Sequence, residues 1–169
     1  MENLPSWLKI KRCKKVFTKD INGRDNGFLV DILNRYDDIF SDRKEEVFQQ
    51  FYYSTVYKHM FKGFHVHPYK VDTLHCPFGK VQLVIYPEEI EKGDETKKID
   101  PEKLIIIPFD ADEEILTITF PSKYPHGYFG VSDIAYILNY RIPAWNAEDK
   151  YQYDIKLPMI EEYLLKRTV

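Results

Sequence analysis

Polar and apolar residues alternate with a period of two along much of this chain, which is the pattern of half-buried β-strands. Residues 1 to about 20 alternate basic and apolar positions and predict a strand with a solvated outer face. GFLVDIL predicts a short strand, and FYYSTVYKHMFKGFHVH predicts a pair of strands. Further strand patterns follow in quick succession: KVQLVIYP, KLIIIPF, EILTITF and YFGVSDIAYILNYRI. Because no long helical pattern separates them, these strands predict an all-β sandwich or barrel.

The segments between the strands have the composition of turns and loops, and we interpret residues 1–169 as a single domain. INGRDNG is a turn cluster, and DDIFSDRKEEVFQQF predicts at most a short helix. The charged segment EEIEKGDETKKIDPE predicts an exposed loop at the barrel rim. Apolar residues at helical spacing in LPMIEEYLLKRTV predict a short C-terminal helix that caps the barrel.

Composition narrows the class of protein without identifying a function. Aromatic residues make up 15% of the 169 residues, which suits strands, and the formal net charge of -3 gives no reason to expect a nucleic-acid partner. The two cysteines, Cys13 and Cys76, are too few for a disulfide framework, and reduced thiols fit the cytoplasm. We find no signal-peptide core and no membrane-spanning run, so we expect a cytoplasmic protein with no membrane partner.

The candidate chemistry is concentrated in KGFHVHPYKVDTLHCPFG, from Lys62 to Gly79. His65 and His67 are two residues apart, so on a strand both imidazoles point to one face. Asp72, on the returning strand, could face them, and His126 lies far downstream in PSKYPHGYF. Histidines from two separate strands predict a site inside a barrel.

Other reactive residues in the chain are interpreted as structural. His59 and His75 are not part of the histidine pattern described above, and we expect them at the surface or the barrel rim. We expect Cys76 to be a small apolar core residue and not a nucleophile.

The pattern H-x-H-x4-D-x6-G, followed by P-x-x-x-x-H, resembles the two motifs of the cupin superfamily, whose members are small jelly-roll barrels. The resemblance implies a cupin double-stranded β-helix. Many cupins bind a metal through two histidines, a glutamate and a third histidine, and those positions hold His65, His67, Asp72 and His126 here. Under this alternative the cofactor would be a divalent metal such as Zn, Fe, Ni or Mn.

A closer resemblance covers roughly residues 22 to 155. The segment from Gly27 to Asp31 resembles GFFxE of the dTDP-4-dehydrorhamnose 3,5-epimerase family. QFYYSTVYKHMFKGFH is similar in spacing to its QxNxSxS…RGLH, PHGYF to its GxAHGF, and RIPAWNAED to its closing Tyr-Asn-Pro-x-x-Glu segment. The resemblance implies a nucleotide-linked 4-keto-6-deoxy sugar as substrate, no cofactor, and a homodimer in which an N-terminal strand joins the partner's sheet.

The resemblance also implies roles for single residues. His65 matches the base histidine, and a carboxylate that orients it falls in the C-terminal segment, where Asp154 is the candidate. Lys62 takes the place of the arginine that contacts the sugar diphosphate. The remaining substrate-binding positions, in the sugar pocket or at the nucleotide base, are Gln50, Ser54, His126, Asn139, Leu29, Asp31 and Trp145.

The chain departs from this family at two catalytic positions. The family's enolate-stabilising lysine falls on Asp72, and Lys70 is the nearest substitute. Its catalytic tyrosine falls on Asn139; Tyr140 is the neighbouring candidate, although it has the opposite strand parity. These departures favour a 3-epimerase, a ketoisomerase or another reaction on a 4-keto sugar over a full 3,5-epimerase.

A further resemblance leaves the reaction open. HVHPYKVD is similar to the H-x-H-x-x-K-x-E motif in the metal-carrying cupin domain of capsular-polysaccharide reductases, and sugar 3,4-ketoisomerases have a related signature. All of these point to deoxysugar or surface-polysaccharide biosynthesis. The alternatives to an epimerase or isomerase are a metal-dependent cupin enzyme and a non-catalytic cupin that binds a sugar nucleotide.

Overall fold

The structure is a computed structural model that describes residues 4–19, 23–33, 37, 50–91, 99–142, 153–154 and 160–168. Within these ranges the chain is almost entirely β. The strands are β1 Lys9–Arg12, β2 Lys15–Lys19, β3 Asp25–Val30, β4 Gln50–Tyr57, β5 Phe61–Val66, β6 Val71–Phe78, β7 Lys80–Ile85, β8 Ile105–Asp110, β9 Leu116–Phe120, β10 His126–Gly130, β11 Ile134–Ile142 and β12 Tyr153–Asp154. A 3₁₀ turn covers Pro101–Lys103, and the helix α1 covers Ile160–Leu165.

The strands form two five-stranded antiparallel sheets and a separate hairpin. The first sheet has the order β1-β9-β6-β11-β4, and the second has the order β12-β5-β10-β7-β8. Strands β2 and β3 pair with each other. The all-β class predicted from the sequence is confirmed. Residues 1 to about 20 were interpreted as one strand; the described part of this segment, residues 4–19, instead forms β1 and β2, and β1 pairs with β9 of the same chain.

Apolar side chains from both sheets fill much of the space between them. Phe109, Ile118 and Phe120 are almost completely buried there and pack in one cluster with Leu83 and Ile137. Cys76 belongs to this cluster, and burial raises the pKa of its thiol to about 12. The interpretation of Cys76 as a core residue is therefore confirmed.

The predicted C-terminal helix is confirmed, but it packs on the side of the barrel and not across its end. Ile160 and Leu164 of α1 are buried in a second cluster with Phe64 and Val66 of β5. Phe64 and Val66 alternate with His65 along β5. They therefore lie on the opposite face of the second sheet from His65. The part of the chain that the structure describes has no helix long and apolar enough to cross a membrane.

Two predicted elements cannot be compared with the structure. The short helix expected around Ser41 lies outside the described residues, and so does the middle of the predicted rim loop, at residues 92–98.

Candidate functional site

A cavity of about 200 Å³ lies between the two sheets. Strands β4, β6 and β11 of the first sheet and β5 and β10 of the second provide most of its walls. Its lining is polar and aromatic, with few aliphatic side chains: Tyr52, Ser54, Lys62, His65, His67, Leu74, His126, Tyr128, Ile137, Asn139 and Arg141.

A bulge in β5 brings Lys62 and His65 to the same cavity although they are three residues apart. In the pairing with β10, His65 faces His126 and Lys62 faces Tyr128, so three residues of β5 span two of β10. The bulge contains Gly63, whose φ is +152°. Gly127 opposes it, and an added Cβ at either glycine would come within 3 Å of the other strand's backbone. Two glycines therefore allow the strands to approach closely here.

The three cavity histidines converge. The ring centroids of His65 and His126 are 6.4 Å apart, and those of His67 and His126 are 5.3 Å apart. His65 and His67 are 6.4 Å apart and nearly parallel. The expectation that histidines from two distant strands share one hollow agrees with this geometry.

Asp72 of β6 contacts four polar residues that line the cavity. Its carboxylate is fully buried, and Oδ1 accepts hydrogen bonds from Asn139 Nδ2 at 2.7 Å and Arg141 Nε at 2.8 Å. Its Oδ2 atom lies 3.7 Å from His67 Nε2 and 3.6 Å from His126 Nε2, and has no hydrogen-bond partner among the described residues.

The hydrogen bonds fix the tautomers of two histidines. Arg141 Nη2 lies 3.0 Å from His67 Nε2, and because a guanidinium can only donate, this nitrogen accepts. His126 Nδ1 lies 2.9 Å from the carbonyl oxygen of Tyr124, so this nitrogen carries a proton. The Nε2 lone pairs of both rings are therefore directed into the cluster.

Burial decides the charges in the cluster. It lowers the pKa of His67 to about 3, against the opposing effect of Asp72, and it also lowers the pKa of His126. Burial opposes the charge of Asp72 as well, but His126, His67 and Arg141 together hold the pKa of this carboxyl below its usual value. Since the two imidazoles are neutral near pH 7, the Arg141 guanidinium balances the carboxylate there.

Two phenols complete the lining. Tyr52 Oη accepts a hydrogen bond from Asn139 Nδ2 at 2.9 Å, and burial raises the pKa of Tyr52 to about 12. The Tyr128 hydroxyl is hydrogen-bonded to the Ser54 hydroxyl, and burial raises its pKa too. Both phenols therefore hold their protons at neutral pH.

No protein-family model matches the chain, and no curated protein matches it. Solved structures do match its fold. The dTDP-6-deoxy-D-glucose-3,5-epimerase from Legionella pneumophila, in complex with dTDP-4-keto-L-rhamnose, is 16% identical with a TM-score of 0.66, covering 94% of this chain and 78% of that chain. A sugar 3,4-ketoisomerase from Thermoanaerobacterium thermosaccharolyticum, in complex with TDP, is 18% identical with a TM-score of 0.59, covering 98% and 100%.

A 3′-monoepimerase from Streptomyces bikiniensis, in complex with dTDP-quinovose, is 13% identical with a TM-score of 0.64, covering 90% of this chain and 71% of that chain. The chain has the cupin fold of the dTDP-sugar epimerases and isomerases. The jelly-roll architecture predicted from the sequence is thus confirmed, and at these identities the likeness concerns the fold alone.

The metal set implied by the cupin motifs is only partly assembled in this cupin fold. His67, Asp72 and His126 offer ligand atoms that lie within 4.8 Å of one another, whereas His65 is not part of this group. The lone pair of His67 Nε2 already accepts a hydrogen bond from Arg141, which also donates to Asp72. As arranged, the residues therefore suit a guanidinium better than a metal ion.

The cupin barrel brings most of the predicted site residues together. His65, His67, His126, Lys62, Ser54 and Asn139 line the cavity, and Asp72 lies directly behind it. Four predicted residues do not line the cavity: Tyr140, Lys70, Gln50 and Asp31.

Each of these four residues lies elsewhere in the fold. Tyr140 alternates along β11 with Asn139 and Arg141, so it lies on the opposite face of the strand. Lys70 is buried two residues before Asp72, and burial lowers its pKa to about 8, but its side chain is not part of the lining. Gln50 shares strand parity with Tyr52 and Ser54, but it is the first residue of β4 and is not part of the lining. Asp31 is exposed, 3.6 Å from Lys11 Nζ, and borders a separate shallow pocket.

Three predicted residues are described incompletely or not at all. Asp154 is the register partner of His65 in the pairing of β12 with β5, but its side chain is outside the described part of the structure. The side chain of Leu29 in β3 is likewise outside it, as is the whole of Trp145.

Sequence reasoning missed the three remaining polar residues of the cavity and misplaced one histidine. Arg141 and Tyr128 lie two residues after Asn139 and His126, so strand parity alone could have found them. Tyr52 shares parity with Ser54 in the same way. His75, expected at the surface, is buried, with Nδ1 2.8 Å from the carbonyl oxygen of Leu116. His59 is exposed, as expected.

Proposed function

We propose that this protein is an epimerase or isomerase of a nucleotide-linked 4-keto-6-deoxy sugar, with His65 as the general base. The observation that carries the proposal is the convergence of His65 and His126 in a polar cavity, within a fold that solved dTDP-sugar epimerases and isomerases share. Deoxysugar or surface-polysaccharide biosynthesis is the corresponding biological setting.

His65 is suited to remove the acidic proton next to a keto group. An imidazole can act as a general base near neutral pH, provided that a partner holds its ring in place. We assign that positioning role to Asp154, which is the register partner of His65 on the adjacent strand. In an antiparallel pair, directly opposed residues have Cβ atoms about 5 Å apart.

Removal of the proton creates negative charge on the keto oxygen, which requires a nearby donor or cation. Lys62 and Arg141 both line the cavity and come from different sheets. Arg141 is anchored by Asp72, so its charge is fixed in place before the substrate arrives. Lys62 is left for the diphosphate, where an ammonium serves as a point charge.

The proton must return to the opposite face of the sugar if a centre is inverted. Tyr52 lies on β4 of the first sheet, across the barrel from His65 on β5 of the second. Its phenol keeps its proton because its pKa is raised to about 12. We therefore assign the role of proton donor to Tyr52, in place of Tyr140.

Solvent exchange tests the assignment of His65. The protein is incubated with a dTDP- or GDP-4-keto-6-deoxy sugar in deuterated water, and deuterium at C3 and C5 is followed by NMR. We expect deuterium incorporation in the wild type and a loss of at least about 100-fold in His65→Asn. His59→Asn is the matched control, because His59 is exposed with a φ of +61°, which asparagine tolerates.

Asp154→Asn should slow exchange and shift its pH profile, since the ring of His65 loses its partner. If it slows exchange with an unchanged pH profile, Asp154 does not act through His65. Deuterium incorporation that survives in His65→Asn would contradict the assignment of the base. No exchange with any such substrate, despite tight binding of dTDP or GDP, would favour a non-catalytic sugar-nucleotide-binding protein.

A further inference from the structure

Three electron-pair donors converge on one side of the cavity. They are Asp72 Oδ2, His67 Nε2 and His126 Nε2, and all lie within 4.8 Å of one another. The tautomers of the two histidines follow from their hydrogen bonds to Arg141 and to the Tyr124 carbonyl. Three acceptors that face each other repel unless a positive group lies among them.

Arg141 supplies that positive group. Its Nε donates to Asp72 Oδ1 at 2.8 Å, and its Nη2 donates to His67 Nε2 at 3.0 Å. The two bonds use the fork of one guanidinium, which fixes its plane as well as its position. Arg141 is buried. It lies on β11, where it is the register partner of Asp72 on the adjacent strand β6.

We infer that Arg141 is a built-in cation that takes the place of a metal ion in the cluster of His67, Asp72 and His126. The cluster would otherwise offer one carboxylate and two imidazoles, which is a donor set that binds divalent transition metals. Arg141 occupies the lone pair of one of these imidazoles and neutralises the carboxylate. The charge of the cluster is therefore balanced without a metal.

Charge is the reason why we expect the Arg141 guanidinium to exclude a divalent metal ion. With Asp72 ionised and both imidazoles neutral, one guanidinium balances the cluster. A divalent ion added beside Arg141 would leave excess positive charge in a buried space that already holds Lys70 nearby. Like charges in a buried site repel more strongly than in water, because the dielectric constant there is low. Removal of the arginine should therefore open the cluster to a metal.

Cobalt(II) titration tests the inference, because bound cobalt absorbs visible light and can also be counted by elemental analysis. In wild-type protein we expect less than about 0.1 cobalt per chain after desalting, and in Arg141→Ala close to one, with an affinity gain of at least about 100-fold. Arg12→Ala is the control, since Arg12 lies at the surface on Glu114. Adding Asp72→Asn to Arg141→Ala should abolish the gain.

Wild-type protein that binds cobalt stoichiometrically, with loss of binding in His67→Ala, would overturn the inference. So would an Arg141→Ala variant that is folded and remains without cobalt. If Arg141→Ala does not fold alone, Arg141→Gln provides a neutral donor for Asp72, and a melting temperature that rises on cobalt addition in this variant alone is the expected result. Its failure to respond would count against the inference. These measurements need no substrate, so their outcome is independent of the proposed epimerase or isomerase activity.

Discussion

Under the proposed reaction, the phenol of Tyr52 decides whether the sugar carbon is inverted. It lies in β4, with its oxygen 2.9 Å from Asn139 Nδ2. Because proton removal by His65 and proton return by Tyr52 are separate steps, the loss of each should have a different signature. Tyr52→Phe should retain solvent exchange at the carbon that His65 attacks, whereas formation of the inverted sugar should slow by about 100-fold.

The two rates are measured by NMR in the same deuterated reaction. Tyr57→Phe is the matched control, since Tyr57 lies on the same strand with 64% of its surface exposed. An inverted product that still forms at the wild-type rate in Tyr52→Phe would show that another group returns the proton.

His67 links the cavity to the stability of the fold. Burial lowers the pKa of its imidazole to about 3, while the unfolded chain has an ordinary histidine near 6.5. Between these values the unfolded state binds more protons, so the free energy of unfolding falls as the pH is lowered from 6.5 towards 3. Each such histidine contributes up to about 1.4 kcal/mol per pH unit, and His126 and His75, whose pKa values burial also lowers, act in the same direction.

Urea unfolding between pH 6 and pH 5 measures this slope. His67→Gln should reduce it by about 1 kcal/mol per pH unit, because one proton is no longer taken up on unfolding. Thr73→Val is the control: it changes a buried polar group on β6 but no titratable one, so its slope should equal that of the wild type. An unchanged slope in His67→Gln would mean that His67 is not buried in its neutral form.

At the scale of the strands, the site depends on the close approach of β5 and β10. A Cβ added at Gly127 would lie 2.7 Å from the Lys62 carbonyl oxygen and 2.9 Å from the Cα of Gly63. Neither of these backbone atoms can move without displacing the bulge. We expect Gly127→Ala to lower the free energy of unfolding by about 2–3 kcal/mol, measured by urea denaturation.

Gly23→Ala provides the comparison. Its φ is +80°, but nothing lies within 4 Å of an added Cβ, so only the backbone strain of about 1 kcal/mol is expected. If the two variants lose the same stability, close packing of β5 against β10 is not what requires glycine at position 127.

The alternation of polar and apolar residues predicted the strands well. It could not predict which face of each strand turns towards the interior. It placed His65 and His67 together, and Asp72 on the returning strand, because a period of two is a local property of extended chain. It failed on β6, where His75 and its neighbours are buried on both faces, so no polar face remains to reveal orientation. Arg141 was missed, although it shares strand parity with Asn139, because an arginine is rarely buried.

At the scale of the whole molecule, the barrel separates stability from chemistry. One region between the sheets is filled by large apolar side chains such as Phe109 and Ile118, while another holds the polar cavity. The formal net charge is -3, yet the cavity carries Lys62 and Arg141, with Lys70 close by. Overall charge therefore gave no indication of these neighbouring cations, because the fold brings together side chains whose charges composition averages out.

The cupin architecture was predictable from short strands with turns between them, together with the H-x-H pattern. What the sequence could not provide was the register. The bulge at Gly63 changes which side chains of β5 face inward, and it is set by pairing with β10, about sixty residues away in the chain. Non-local pairing of this kind leaves no mark in a local pattern.

The hairpin of β2 and β3 belongs to neither main sheet and leads to a prediction about assembly. Val16 and Phe17 of β2 are 57% and 74% exposed, and β4, an end strand of the first sheet, offers an edge. Large exposed apolar side chains favour contact with a second chain, and so does an end strand whose outer edge pairs with no other strand among the described residues. We therefore expect a homodimer in which this N-terminal hairpin contacts the partner, and expect Val16→Asp combined with Phe17→Asp to convert it to a monomer.

Sedimentation velocity of both proteins over a range of concentrations measures the change. Leu165→Asp is the matched control, because Leu165 is an apolar residue of α1 with 41% exposure, remote in sequence from the hairpin. It should leave the dimer intact. A wild-type protein that sediments as a monomer at all concentrations, or a double variant that stays dimeric, would contradict this mode of assembly. Since the cavity is built from strands of one chain, the monomeric variant should retain its fold by circular dichroism.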